Sequence, residues 1–356
     1  MTIKKFLIEY DAINSKNTFT NGDTMNGRII VEVSKQTKVQ SLIFTATGKA
    51  RVCWHEHYGE NHHHVYWADE KYYEVKHHIL RETRQDGTEV VGQGTHVFPF
   101  SFSIPDRKIP SSFKGAVGKI VHKVRAELKQ SLKLTKKTKA HFTFVSRADM
   151  TIPVLTEPQY GCKDKTVKLF GSGTVSMDVY TKKMGYKPGE QLHVILKISN
   201  NSTRSVKPKF ILYEKRSFFA QGHRKLLTNE ILKEKIEAVA SSGKVTVTKV
   251  ITIPRELPPS ILNCSIIRLE YRLKVHLDIK CASDPKIKLP IVVLPDLPNP
   301  PTSTGLGFEA FGNPLQPTWS ITPQQAAFQP VNPPPPYEAY SLYPSFPDSG
   351  KHRTAL

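Results

Sequence analysis

Between Leu269 and Ile279 the chain alternates without interruption. Leu269, Tyr271, Leu273, Val275, Leu277 and Ile279 would share one face of an extended strand, and Glu270, Arg272, Lys274, His276 and Asp278 the other. A helix would scatter both sets around its circumference, so the segment is predicted as a strand with one wet face. Ile120–Leu128 repeats the design, with Ile120, Val124, Ala126 and Leu128 inward and Lys123, Arg125 and Glu127 outward. Arg28–Val33 and Val245–Ile253 also read as strands. Strands that recur after short turn signals, with little helical periodicity between them, make the fold class all-β and its architecture antiparallel sandwiches. One segment stays open: Leu226–Val239 fits an amphipathic helix through Leu227, Ile231, Ile236 and Val239 as well as it fits a strand.

The plan occurs twice. Asn21-Gly22-Asp23 precedes the strand at 27–34, and Lys187-Pro188-Gly189-Glu190 precedes the strand at 192–199. Later, Phe100–Pro105 ends in Ile-Pro and leads through Ile109-Pro110-Ser111-Ser112-Phe113 to the long strand near 120. Val245–Pro254 likewise ends in Ile-Pro and leads through Leu257-Pro258-Pro259-Ser260-Ile261 to the strand 265–279. The preserved order predicts two tandem sandwiches, residues 1–150 and 161–295. They are joined by a linker at 151–160, where Pro153 and Pro158 cannot donate to a sheet ladder.

Past Pro295 the composition changes. Half of the 26 prolines fall in the last 61 residues among Gly, Ser, Thr and Gln, so residues 296–356 are predicted to be a disordered tail. The tail carries a net −2 against +20 for the whole chain, which leaves the body at +22. Such an excess suits anionic partners: nucleic acid, acidic lipid headgroups or phosphorylated protein tails. A solvated surface that keeps the protein soluble is the plainer reading. Cys53, Cys162, Cys264 and Cys281 are far apart and lack CxxC spacing, so reduced and mostly buried thiols are expected. No signal-peptide run, bilayer-length apolar run or lipidation box is present, which predicts a cytoplasmic protein.

Chemistry is hard to find. Eight of the 14 histidines lie between His55 and His96, including His62-His63-His64, and neutral imidazoles bind zinc or copper. Four converging ligands at defined spacings are missing, and Gly59-Glu60-Asn61 beside the run suits a solvated hairpin tip. GxSxG, P-loop, HExxH and GxGxxG signatures are also missing, so neither an enzyme nor a cofactor or metal site is expected. Lys136-Lys137-Thr138-Lys139 reads as a basic loop. A nucleic-acid-binding reading needs aromatics interleaved with Lys or Arg on one strand face, and Lys129–Lys139 offers none.

The tail does carry a mechanism. Pro334, Pro335 and Pro336 favour polyproline II geometry, and Tyr337 completes a PPxY ligand for WW domains. The prolines would cross an aromatic groove while the tyrosine fills a second pocket, its hydroxyl free to hydrogen-bond. Two shorter patterns overlap downstream. Tyr343-Pro344-Ser345-Phe346 fits a tyrosine-x-x-bulky sorting signal, and Leu342-Tyr343-Pro344 is similar to the LYPx core read by an ESCRT-associated protein.

Taken together the residues resemble one family, the α-arrestins, or arrestin domain-containing proteins, in their type-3-like pattern. The resemblance is carried by Phe19-Thr20-Asn21-Gly22-Asp23, by Gly48-Lys49-Ala50-Arg51-Val52 with Trp54, and by His96–Phe102. In the second half it is carried by Gly185-Tyr186-Lys187-Pro188-Gly189-Glu190, Lys207-Pro208-Lys209-Phe210 and Tyr213-Glu214-Lys215, then by Pro259–Leu262 and the tail PPPY. It implies two arrestin-type, immunoglobulin-like sandwiches and an adaptor that links receptors, channels and transporters to HECT-type ubiquitin ligases. Cargo is then ubiquitinated, internalised and sorted, which implies peripheral association with the plasma membrane and endosomes. Two departures stand out. Members of this pattern usually carry two PY motifs, and one is intact here. The branch that pairs with thioredoxin uses a second-domain cysteine, and Glu237–Lys244 contains none.

Overall fold

The computed structural model describes residues 2–297, apart from 58, 60–62, 81–88, 131–132, 148–151, 168–172 and 280–283. The first half builds β1 (Ile3–Tyr10), β2 (Thr18–Phe19), β3 (Thr24–Val33), β4 (Thr37–Val39), β5 (Ser41–His57) and β6 (His63–Leu80). It continues with β7 (Glu89–Val91), β8 (Gly94–Ser103), β9 (Phe113–Lys114), β10 (Gly118–Lys129) and β11 (Lys136–Phe144). After a 3-10 turn at Pro153–Thr156, the second half builds β12 (Gln159–Val167), β13 (Gly173–Thr181), β14 (Gly185–Tyr186), β15 (Gln191–Asn201) and β16 (Val206–Ala220). Last come β17 (His223–Lys235), β18 (Lys244–Thr252), β19 (Ile267–Ile279) and β20 (Lys286–Val293). No α-helix occurs among the described residues, in line with the all-β expectation.

Each half is a sandwich of two main sheets. In the first, β1-β3-β8 faces a six-stranded sheet ordered β2-β11-β10-β5-β6, with β9 added on β10. In the second, β12-β13-β15-β18 faces β14-β20-β19-β16-β17. The duplicated plan extends to single hydrogen bonds. Short β2 lies parallel to the end of β11, and short β14 lies parallel to the end of β20. The turns that follow need left-handed backbone at Gly22 (φ 79°) and Gly189 (φ 83°), which only glycine adopts without strain. Each turn is closed by a carboxylate three residues along: Thr20 N donates to Asp23 Oδ2 at 2.8 Å, and Lys187 N donates to Glu190 Oε2 at 2.9 Å. A serine then clamps each closing strand, its Oγ accepting from a backbone N–H at 3.0 Å: Ser112 from Phe144, Ser260 from Val293.

The two strands with the clearest alternation are central. β19 is hydrogen-bonded on both sides, to β16 and β20, and all six of its predicted inward residues are 2% exposed or less. β10 lies between β5 and β11 and buries Ile120, Val124, Ala126 and Leu128 as predicted. Burying a large aliphatic side chain is worth about 1.5–3 kcal/mol, so alternation of this length fixes the register. His122 takes the remaining inward place on β10, a buried polar group that the pattern of Ile, Val, Ala and Leu did not announce.

One open segment is settled and three expectations need correction. Leu226–Val239 is mostly strand, because β17 pairs with β16; Ile231 is an extra residue in that ladder, so Leu227 and Ile231 pack on the core four positions apart, as in a helix. Lys136–Lys139 opens β11 instead of forming a loop, because its four residues pair across to Leu128, Glu127, Ala126 and Arg125. His63 and His64 belong to β6, opposite His57 and Glu56, so the histidine run is partly ladder and only its tip is a connection; His62 lies outside the described residues. Of the three described cysteines, all free, Cys53 and Cys162 are exposed and only Cys264 is buried, since the first two sit on outward positions of β5 and β12. Cys281 lies outside the described residues.

Candidate interaction surfaces

The two sandwiches meet along a seam built from β6. A bulge opposite Gly48 and Lys49 gives β6 one extra residue, so Tyr72 and Tyr73, adjacent in sequence, both turn inward. Tyr73 enters the first core, where it shares a hydrogen bond of 3.0 Å with His122 Nδ1. Tyr72 packs on both cores and donates its hydroxyl to Cys264 Sγ at 3.0 Å. Beside it Glu70 Oε2 accepts from Ser265 N at 3.1 Å and from Ser265 Oγ at 2.7 Å. Burial pushes the Tyr72 phenol and the Cys264 thiol above their ordinary pKa values, so both stay protonated at neutral pH.

Apolar packing continues the seam. Ala50, Val52, Trp54, Tyr66, Phe113 and Ile120 of the first half belong to the core of the second. Gly118 exists because Phe218 fills the space a side chain would need: a Cβ there would lie 2.7 Å from the ring. Toward the hairpin tips, Tyr66 stacks on Trp54 at 5.3 Å and meets the ring of His223 at 4.5 Å. His64 Nε2 stands 3.1 Å from Gln221 Oε1, and Lys225 pairs with Glu56 at 3.7 Å. Sharing one core over this length gathers the two halves into one compact unit. Sequence patterning missed this seam, because its signal is a bulge and a glycine, neither of which states its partner.

The groups that could do chemistry are otherwise engaged. His122 is buried between Tyr73 and the Pro110 carbonyl, with Nε2 3.1 Å from that oxygen, and burial lowers its pKa to about 4. It is a neutral core histidine. No group of three His, Cys, Asp or Glu stands close enough to hold a metal ion among the described residues. A shallow depression of about 330 Å³ on the outer sheet of the second half is lined by Ser176, Asp178, Lys197, Ser199, Lys244 and Thr246. Its one carboxylate, Asp178, is already engaged, its Oδ1 accepting from the Tyr160 hydroxyl at 2.7 Å.

What the body does offer is charge. Outward positions of β5, β10 and β11 carry Lys49, Lys119, Lys123, Arg125 and Lys139 on a single sheet face. The alternation that placed Lys123 and Arg125 outward was legible. The juxtaposition with Lys49 and Lys139 was not, because it depends on pairing between strands far apart in sequence. The sequence-predicted motif residues Pro334, Pro335, Pro336 and Tyr337, and Leu342, Tyr343, Pro344 and Phe346, lie outside the described residues.

Comparison with known proteins gives the two halves separate matches. The family model for the arrestin (or S-antigen) N-terminal domain matches residues 6–151, and that for the arrestin (or S-antigen) C-terminal domain matches residues 171–296. The chain is 28% identical over 287 residues to arrestin domain-containing protein 4 of Mus musculus, covering 78% of this chain and 69% of that protein. It is 25% identical over 297 residues to thioredoxin-interacting protein of Homo sapiens, covering 82% of this chain and 74% of that protein.

Proposed function

The chain belongs to the arrestin family, on its α-arrestin branch, and on that premise we propose that it is an adaptor joining membrane cargo to HECT-type ubiquitin ligases through their WW domains. The observation that carries the proposal is the placement of Pro334-Pro335-Pro336-Tyr337 in a Pro-rich segment behind a two-sandwich body. The prolines are set for polyproline II, so docking costs little backbone entropy, and Tyr337 supplies the anchor. Cargo ubiquitination, internalisation and endosomal sorting follow from bringing ligase and cargo together. Recruitment, not bond chemistry, is the output.

One motif of this length binds weakly: micromolar affinity corresponds to about −8 kcal/mol. A second contact, on cargo or on membrane, raises the effective concentration at which the ligase meets the tail. The basic body suits acidic or phosphorylated cytosolic tails and anionic lipid, and the protein works in the cytoplasm at the plasma membrane and endosomes. Proximity labelling in cells tests this reading with the full chain and with Tyr337→Ala. WW-domain ligases should label with the full chain and vanish with Tyr337→Ala, while membrane proteins label with both. Ligases that label equally with both chains overturn it.

A further inference from the structure

The outer face of the six-stranded sheet is a field of unneutralised positive charge. Register places Val121 opposite Lys49, Lys123 between Thr47 and His141, and Arg125 between Thr45 and Lys139. Strands about 4.8 Å apart with a rise of about 3.4 Å per residue put these cations within one or two side-chain widths of each other. The three carboxylates on this face are already committed. Asp69 binds Arg51, Glu74 binds Lys71, and Glu127 binds Arg125 and Lys137. Lys49, Lys119, Lys123 and Lys139 make no ion pair among the described residues. Burial, then the nearby Arg125, Lys49, Lys139 and Lys119, push the Lys123 ammonium below its ordinary range. A polyanion laid on this face would relieve that repulsion.

Trp67 marks the rim. It sits on the same face, opposite Cys53 and one outward position beyond the Arg51–Asp69 pair, and is 58% exposed. An indole with an apolar body and one N–H donor is at home where headgroups meet acyl chains.

We propose that this face docks on an anionic bilayer, with Lys49, Lys119, Lys123 and Lys139 over the headgroups and Trp67 entering the interface. The inference deepens the adaptor reading above and rests on it only for where the chain works. A phosphorylated peptide is the less fitting occupant. Lys49, Lys119, Lys123 and Lys139 are compact point charges without the planar fork that recognises phosphate bidentately. They are spread over an open sheet face in place of a groove, and the exposed aromatic beside them suits a lipid interface.

The test is co-sedimentation of the full chain with vesicles of equimolar phosphatidylserine and phosphatidylcholine, and with phosphatidylcholine alone. Binding should require phosphatidylserine and weaken with salt. Lys49→Gln, Lys123→Gln and Lys139→Gln combined should weaken it on the order of 100-fold, and the exposed Lys139→Gln alone about fivefold. A control removes the same charge from the outer sheet of the second half, through Lys163→Gln, Lys197→Gln and Lys244→Gln, and should change binding far less. Tryptophan emission should shift to the blue on phosphatidylserine vesicles, and Trp67→Phe should abolish the shift. Equal losses in the two triple variants, an emission unchanged by vesicles, or retention of a phosphopeptide but not vesicles by the same lysines would each overturn the proposal. Tyr337→Ala should leave vesicle binding intact, so loss of the lipid preference with ligase recruitment preserved counts against this inference alone.

Discussion

Tyr72, in the first sandwich, donates its hydroxyl to the sulfur of Cys264, in the second, over 3.0 Å. The contact lies between two hydrophobic cores, so the thiol is both buried and held neutral by burial. Thiolate is the reactive form, and access to it requires the seam to open. A native-state alkylation time course read by peptide mass spectrometry should therefore show Cys53 and Cys162 modified early. Cys264 should resist until denaturant is added. Tyr72→Phe removes the donor but keeps the ring, and should cost about 1 kcal/mol in chemical denaturation.

Gly118 and Phe218 set the fit of the same seam. Gly118→Val would place its first carbon 2.7 Å from the Phe218 ring and 3.0 Å from Val52 Cγ1, so the sandwiches must separate or the ring must move. Overpacking of this kind costs roughly 1–3 kcal/mol. Equilibrium unfolding should show that loss, and Cys264 should alkylate faster. Adding Phe218→Leu should recover part of the stability, a coupling that a double-mutant cycle would measure.

The duplication makes a paired prediction. Ser112→Ala and Ser260→Ala each leave a strand N–H, of Phe144 or Val293, without its acceptor. Each loss should cost about 1–3 kcal/mol. Both variants should lower the unfolding midpoint, with Ser260→Ala the larger because the Val293 bond is fully buried and the Phe144 bond only partly.

His122 links stability to pH. Its folded pKa of about 4 lies below the ordinary 6.5, because burial disfavours the imidazolium. Below the unfolded value, the unfolded chain takes the proton first and the native state is penalised. The penalty grows as pH falls from 6.5 toward 4 and levels off below, reaching about 3 kcal/mol. Denaturation free energies measured between those limits should have a slope about one proton steeper in wild type than in His122→Phe. His141 and His276, also lowered by burial, contribute equally to both curves and cancel in the comparison.

The parts of this fold that were readable from residues alone share a physical cause. β10 and β19 are paired on both sides, with one face dry and one wet, so β19 alternates without a break and β10 departs from the pattern only at Val121-His122. The turns at Gly22 and Gly189 were readable because left-handed backbone singles out glycine. Edge strand β17 was ambiguous because a bulge at Ile231 put a spacing of four into a strand. The basic run at 136–139 looked like a loop because nothing local announces that Glu127 will stand opposite Lys137. Interaction sites divided the same way. The tail motif is contiguous and visible, whereas the lysine face and the Tyr72–Cys264 seam are assembled from residues that only the sheet register brings together.

The most direct measurement is a calorimetric titration of a WW domain from a HECT-type ligase into the full-length chain and into Tyr337→Ala. The adaptor account predicts saturable binding of the full-length chain, with a Kd in the micromolar range, about −8 kcal/mol, and no detectable heat with Tyr337→Ala. An unchanged isotherm for Tyr337→Ala would show that WW domains engage the chain somewhere other than Pro334–Tyr337, contrary to the role assigned to that motif.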